Sequence, residues 1–532
     1  MRKLSFIAAA FLLAVPAVVN AQFTFNKVRL AARIDLTTTG FNANSGNDCW
    51  GYVSPSGREY AIMGCSNKVA FVEITNPDAP VYFDSIPHGS STWGDITVYQ
   101  NVAYVVTERS GSGIQVIDLA NIDATSNRVS LVRTIDTVGQ SHNVRSDNDS
   151  GFLYTVGSRE SSGTTTCWSL ADPRNPVRVG ANSMTGNIYT HDAFIFTYPV
   201  GSVYAGRQIL FSSSAFDAVT IWDVTNKNNP FLINTMHYPN EGYTHQSWMS
   251  EDMRYMYLND EFDETTFNIT TRTIVFDIEN IETGAYVANY TNGNTSIDHN
   301  LHIRDGYIFA SNYTSGLRIF SSHLDPLSPT EVGWFDTHPE GDVPEYEGAW
   351  SNWCYFPSGT IIVSDINRGL FVLDAEEAMT RHIAPMTYTK IRGVQVSGNL
   401  GSLITDDDNR LELRPGITFT SSQAPVEIEI TATADSQTPV AINVLSVARA
   451  SAATIQEKIE LFNYTSGLFE LVDTRMLSTT DSQFIAVSAG NLNRFVGANK
   501  AVRARFSYKA TGPTFVYPWT VGIDKLAFLN CP

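Results

Sequence analysis

Four histidines recur at nearly equal spacing in the middle of the chain, and each is followed by a small polar residue. They are His142, His191, His245 and His299. Imidazole nitrogens are good ligands for zinc, copper, iron and nickel. If the four side chains meet, they predict a transition-metal site. The nearby acidic residues that could add oxygen ligands or orient the imidazoles are Asp192, Asp298 and Glu241.

A structural interpretation accounts for the same histidines without a metal. Repeat proteins often keep one residue per repeat for architecture, and each imidazole would then hydrogen-bond to the backbone of the neighbouring repeat. Trp50, Trp93 and Trp350 stand where the spacing calls for further copies, and tryptophan is not a metal ligand. The tryptophans favour the structural interpretation, but the residues leave both open.

The spacing of these seven anchors predicts the fold. Successive anchors lie 43 to 54 residues apart, and a period of about 50 residues with several short strands per repeat is typical of a β-propeller. The segments between anchors are short runs of β-branched and aromatic residues bounded by Gly, Asn, Asp and Pro, as strands are. The sequence therefore predicts a seven-bladed propeller over residues 22–385.

The two ends of this region are expected to meet. No fourth strand follows Asp374 in the seventh repeat, whereas residues 28–36 precede the first anchor just as outer strands precede the others. We therefore expect 28–36 to complete blade seven, because an open ring would leave an unpaired sheet edge. After residue 385 the period is lost, and alternating apolar and polar residues over 386–532 predict an antiparallel β-sandwich.

The N-terminus and the overall charge indicate export. Residues 1–21 combine a basic start, an apolar stretch and small residues at the end, which is the pattern of a cleaved signal peptide. No later stretch is apolar enough for a transmembrane segment. A net charge of −19 repels nucleic acid. We expect a secreted or cell-surface protein with no nucleic-acid partner.

Three further features of the sequence concern a pair of cysteines and two acidic runs. Cys49 and Cys65 flank a hairpin whose turn is 54–57, so they predict a cross-strand disulfide in an oxidising compartment. The run 406–409 (Asp-Asp-Asp-Asn) would suit calcium, although an acidic surface loop is the alternative. The acidic run 260–264 is expected at a loop tip of blade five.

The motifs together resemble a known family. Asp48-Cys49-Trp50-Gly51-Tyr52, Phe71-Val72-Glu73-Ile74-Thr75-Asn76-Pro77 and the four histidine phrases are similar to those of LVIVD-repeat propellers in the choice-of-anchor B family of exported bacterial proteins. The resemblance covers about residues 27 to 380. It implies a propeller fold and a bacterial, exported protein, and it implies no established reaction.

Two functions remain. The first is a non-enzymatic extracellular or cell-surface binding module for a protein or a polysaccharide. The second is a metal-dependent hydrolase or oxidase that uses the four histidines at the propeller channel. The chain contains no G-x-S-x-G, H-E-x-x-H or P-loop pattern, so the motifs favour the binding module.

Overall fold

The computed structural model describes residues 23–38, 40–182, 189–439, 441–512 and 517–531. The predicted signal peptide, residues 1–21, lies outside the described residues. Within the described ranges, no helix is both long enough and apolar enough to cross a membrane.

Seven antiparallel sheets follow one another along the chain, and each forms one blade with its inner strand first. Blades one to four consist of Gly46–Val53, Glu59–Cys65, Lys68–Glu73 and Val81–Pro87; Gly94–Tyr99, Val102–Thr107, Ile114–Asp118 and Ser130–Ile135; Asn143–Asp147, Phe152–Val156, Thr165–Ser169 and Val177–Asn182; and Asp192–Thr197, Gln208–Ser213, Val219–Asp223 and Phe231–Met236. Blades five to seven consist of Thr244–Met249, Tyr255–Asp260, Thr273–Asp277 and Ala285–Tyr290; Asn300–Arg304, Tyr307–Ser311, Leu317–Ser321 and Thr330–Phe335; and Ala349–Trp353, Thr360–Asp365 and Gly369–Asp374. The predicted seven-bladed propeller is confirmed.

The N-terminal segment closes the ring as predicted. Arg29–Ile34 pairs antiparallel with Gly369–Asp374 and is the fourth strand of blade seven. A second, unexpected strand, Phe25–Asn26, pairs with Thr330–Phe335 and adds a fifth strand to blade six. The N-terminus therefore joins two neighbouring blades.

Burial differs between strands because the blades pack face to face around the channel. In blade one, every residue of the second strand, Glu59–Cys65, is buried. In blade four, most of the outer strand Phe231–Met236 is exposed or half-buried. The middle strands thus form the apolar core between the blades, and the inner strands line the channel.

The predicted Cys49–Cys65 disulfide is not formed. A β-bulge between Gly46 and Cys49 shifts the register of the hairpin, so that Cys49 lies opposite Met63 and Cys65 lies opposite Gly46. Both thiols are buried and free. The prediction was wrong because it assumed an unbroken ladder around the turn.

The C-terminal region forms two antiparallel sheets around one apolar core, as predicted for a sandwich. The first sheet contains Arg381–Ile383, Val394–Ser397, Leu411–Arg414, Val521–Cys531, Ala441–Ala450 and Ser482–Ala486. The second contains Thr387–Arg392, Val426–Thr433, Ala501–Ala510, Ile455–Asn463 and Leu468–Met476. The α-helices are Asp263–Phe267 and Glu376–Met379, and the 3₁₀-helices are Asp136–Val138, Arg159–Ser161, Leu400–Leu403, Leu492–Phe495 and Ala498–Lys500.

The sandwich contacts the propeller near blade six. Ala441 and Cys531 of the sandwich belong to the same buried apolar cluster as Tyr307 and Phe309 of blade six. The hydroxyl of Tyr307 donates a hydrogen bond to the carbonyl of Met379 at 2.7 Å. The two domains therefore share an apolar contact beside the segment that connects them.

Candidate functional site

The four predicted histidines lie side by side at one end of the channel. Each stands at the start of an inner strand in blades three to six. Equivalent positions of neighbouring blades are adjacent in the ring, so the imidazoles form an arc. Their ring centroids are 4.1 Å apart from His142 to His191, 4.3 Å from His191 to His245, and 4.2 Å from His245 to His299.

Backbone carbonyls of the next blade orient two of these imidazoles. Nδ1 of His191 donates to the carbonyl of His245 at 3.0 Å, and Nδ1 of His299 donates to the carbonyl of Trp350 at 2.6 Å. A carbonyl only accepts, so Nδ1 carries the hydrogen in each case and Nε2 keeps its lone pair in the neutral ring. Burial lowers the pKa of His191 and lowers that of His299 to about 3. Both are therefore neutral and able to act as ligands.

His142 and His245 differ in their Nδ1 contacts. Nδ1 of His142 lies 2.6 Å from Oε1 of Glu108, which comes from the loop after the second strand of blade two. Nδ1 of His245 is buried and makes no hydrogen bond with the described residues. Burial, followed by the neighbouring imidazoles, lowers the pKa of His245 well below its usual value.

A carboxylate that the sequence placed at a loop tip completes the arc. Glu261 lies between the second and third strands of blade five, and its carboxylate oxygens are 3.8 Å from Nε2 of His245 and 3.7 Å from Nε2 of His299. The hydroxyl of Tyr313 donates to it at 2.7 Å. Burial raises the pKa of Glu261 to about 7. Ligand atoms of His191, His245 and Glu261 all lie within 4.8 Å of one another, which is close enough to share one ion.

Two of the three acidic residues predicted to assist the histidines pair with other residues. Asp192 forms an ion pair with Arg145 at 2.8 Å. Glu241 lies 3.0 Å from His237, an exposed histidine outside the arc. Asp298 is fully buried next to Glu264, and its carboxylate oxygens have no hydrogen-bond partner among the described residues. Burial, followed by the carboxylates beside it, raises the pKa of Asp298 well above its usual value.

In blades one, two and five, a side chain at the start of the inner strand bonds to the backbone of the next blade. The carboxylate of Asp48 accepts from the backbone N–H of Ile96 at 3.1 Å, and the carboxylate of Asp95 accepts from that of Val144 at 2.6 Å. Gln246 makes the equivalent bond with Leu301 at 3.0 Å.

This register corrects two of the predicted anchors. In blades one and two the position equivalent to the histidines is Asn47 and Gly94, since these directly precede the linking carboxylates. Trp93 is one residue away from the anchor and Trp50 three. Trp350 is a true equivalent, and its ring lies 4.9 Å from that of His299.

The arc encloses a small cavity of about 20 Å³, lined by the four histidines and by Trp93, Asp95, Asn143, Arg145, Asn300 and Trp350, among others. A volume of this size holds one water molecule or one ion. Arg145 closes the cavity towards the middle of the channel, held by Asp95 at 2.9 Å and by Asp192.

The predicted acidic loop at 406–409 lies in the sandwich. Carboxylate oxygens of Asp408, Asp481 and Asp524 come within 4.8 Å of one another. Arg410 already pairs with Asp408 and Asp481, and the carboxylate of Asp524 accepts from backbone N–H groups of the loop. The guanidinium of Arg410 thus neutralises part of the negative charge that a calcium ion at this loop would otherwise neutralise.

The sheet topology defines the chain as a seven-bladed β-propeller followed by an antiparallel β-sandwich. No family model matches the sequence, and no curated protein matches it significantly. Among solved structures, it is similar to a putative 6-phosphogluconolactonase from Bacteroides fragilis at 10% identity over 84% of this chain and 99% of that chain, with a TM-score of 0.40. It is also similar to U3-55K at 9% identity over 65% and 98% of the two chains, with a TM-score of 0.43.

Proposed function

We propose that this chain is an exported bacterial propeller of the LVIVD-repeat, choice-of-anchor B type that acts outside the cell as a binding module. The repeat motifs support the family, and the basic and apolar pattern of residues 1–21 supports export. The ring is closed by Arg29–Ile34, which gives a rigid frame in which inner-strand residues keep fixed positions.

The ligand at the histidine end is one transition-metal ion. One arrangement carries this proposal: the Nδ1 atoms of His191 and His299 are bonded to carbonyls, and Nε2 of His299 lies 3.7 Å from the half-buried Glu261 carboxylate. A hydrogen bond from one imidazole nitrogen to a carbonyl is the usual way in which proteins orient a metal-binding histidine. The imidazole-to-backbone hydrogen bonds that the structural interpretation predicts are therefore the same bonds that would orient these histidines for a metal.

The size of the cavity favours binding over catalysis. A volume of about 20 Å³ takes an ion but leaves no room for an organic substrate beside it. Aromatic rings also cover the arc, since Tyr243 lies 5.2 Å from the ring of His191 and Tyr313 lies 4.5 Å from that of His299. We therefore favour a non-enzymatic role over a metal-dependent hydrolase or oxidase.

Elemental analysis of the purified mature chain tests this proposal. The protein is incubated with zinc or with copper, dialysed and analysed beside a His245→Ala/His299→Ala variant. The matched control is His237→Ala, because His237 is exposed and lies outside the arc. We expect about one equivalent of metal in the wild type and in the control, and a loss of metal in the double variant.

Thermal unfolding of the apo proteins separates metal loss from misfolding. A double variant that unfolds cooperatively and binds no metal supports the proposal. A wild-type protein that retains neither zinc nor copper after dialysis refutes it.

A further inference from the structure

A second, larger cavity lies at the opposite end of the channel. The inner strands start at the histidines and end around a cavity of about 390 Å³. Arg145, in the floor of this cavity, is the residue that also lines the small cavity at the histidines. Its aromatic lining comes from blades one, four, five and seven and consists of Trp50, Phe194, Phe196, Trp248, Trp353 and Tyr355. This volume is in the range of small-molecule sites.

The aromatic side chains pack against one another and still present part of their surface to the cavity. The ring centroids of Trp50 and Trp353 are 4.1 Å apart, those of Trp353 and Tyr355 are 4.8 Å apart, and those of Trp248 and Phe194 are 5.0 Å apart. All five are only half-buried. Among the described residues, no hydrogen bond uses the indole N–H of Trp50, Trp248 or Trp353, so these donors are available to a ligand.

The charges around the cavity suit a neutral ligand. Arg145 is the cation in the described lining, and Asp95 and Asp192 neutralise it at 2.9 and 2.8 Å. The lining also contains two carboxylates, and both are hydrogen-bonded: Asp147 accepts from the hydroxyl of Ser150 at 2.7 Å, and Glu251 accepts from the backbone N–H of Asp305 at 2.7 Å. Each charged side chain of the described lining therefore already has a partner, which favours a neutral ligand. His302, whose ring lies 4.5 Å from that of Trp248, adds no charge because burial lowers its pKa to about 3.

The rim of the aromatic cavity continues into a cleft between the two domains. Ser250, Glu251 and Ile303 line both the aromatic cavity and a neighbouring cavity of about 570 Å³. On its other side this cleft is bounded by residues of the sandwich, including Asp435 and Lys500. A chain-like ligand held in the aromatic cavity would therefore extend along the sandwich.

We propose that the aromatic cavity binds one residue of a neutral saccharide chain, and that the following residues lie in the cleft between propeller and sandwich. The C–H faces of a sugar ring stack on aromatic side chains, while its hydroxyls take up the free indole N–H groups and the polar rim. This inference rests on the proposed role as a binding module, but it does not depend on the metal site.

Binding to a microarray of neutral oligosaccharides, followed by titration calorimetry on the bound structures, tests the proposal. We expect Trp248→Ala and Trp353→Ala each to weaken binding at least tenfold. The control is Phe419→Ala, because Phe419 is exposed on the sandwich and lines neither the cavities nor the cleft, and it should bind as the wild type does. We also expect a trisaccharide to bind more tightly than its methyl monosaccharide, because only the longer ligand reaches the cleft.

Three outcomes overturn the proposal. The first is no binding to any neutral glycan, and the second is preferential binding of choline or of polygalacturonate, which carry charge. The third is equal binding of the wild type and both tryptophan variants. The His245→Ala/His299→Ala variant should bind saccharide as the wild type does, because the two sites are separate. A wild-type protein that binds metal but no saccharide would overturn the saccharide proposal and leave the metal site standing.

Discussion

Replacing His302 by Phe should change how the stability of the propeller depends on pH. The imidazole of His302 lies beneath the aromatic cavity, 3% exposed, with neither ring nitrogen hydrogen-bonded within the described part of the chain. Burial is the main reason why its pKa falls to about 3, and the charge of Arg145 lowers it further. Phenylalanine has a similar shape and does not titrate.

The size of the effect follows from the difference in proton binding. A histidine in the unfolded chain has a pKa of about 6.5. Since the folded pKa is lower, the unfolded chain binds the proton first, so stability is complete above pH 6.5 and is lost as the pH falls. Relative to pH 7.5, the loss from this one group is about 1.4 kcal/mol at pH 5.5 and about 2.7 kcal/mol at pH 4.5.

Urea unfolding of the two proteins at these three pH values measures the effect. Tryptophan fluorescence reports on the propeller, because eight of the nine tryptophans precede residue 386. His302→Phe should gain stability over the wild type by the stated amounts as the pH falls, whereas His237→Phe, at an exposed site, should not. Parallel curves for wild type and His302→Phe would show that His302 is protonated in the folded protein, and the reasoning about a neutral cavity floor would fail.

Two further substitutions and one chemical measurement test the packing of the propeller around the two sites. Arg145→Met should destabilise the propeller by about 3–5 kcal/mol in urea at neutral pH, because it leaves buried carboxylates without their cation; a loss below about 1 kcal/mol contradicts the buried network. Gly51→Ala should cost about 1–3 kcal/mol and weaken saccharide binding, because its Cβ would come within 2.1 Å of the Trp353 ring; unchanged stability and binding would mean that this packing is loose. The thiols of Cys49 and Cys65 are buried and free, so a thiol reagent should leave them unmodified in the folded protein and modify both in denaturant without reductant. Two fewer thiols than the five cysteines in the sequence would instead indicate the disulfide.

Much of the fold can be predicted because it depends on local patterns. Each blade repeats the same order of short strands and turns, and the repeat length reports the architecture directly. The closing strand Arg29–Ile34 was also predictable, because residues 28–36 stand before the first anchor just as the outer strands of other blades stand before theirs.

The failures come from local backbone features that the repeat pattern does not encode. The bulge between Gly46 and Cys49 is a backbone irregularity of one hairpin, and it moved both the expected disulfide and the anchor of blade one. The role of Glu261 depends on how the loop of blade five folds back over the channel, where the carboxylate reaches His245 and His299. The signal in the sequence was its position in an acidic run directly after a strand, which by itself also fits a solvated loop tip.

By itself, the sequence determined the number of blades, the closure of the ring and the presence of one imidazole in each of four consecutive blades. These properties follow from repetition, since equivalent positions in a closed ring must be neighbours. Only the tertiary structure decided which imidazole nitrogen faces a carbonyl, that Glu261 joins the arc, and that Trp50, Trp248 and Trp353 meet at the other end of the channel. Such contacts join residues from different blades, and their geometry depends on the packing angle and register of each blade, which no local pattern encodes.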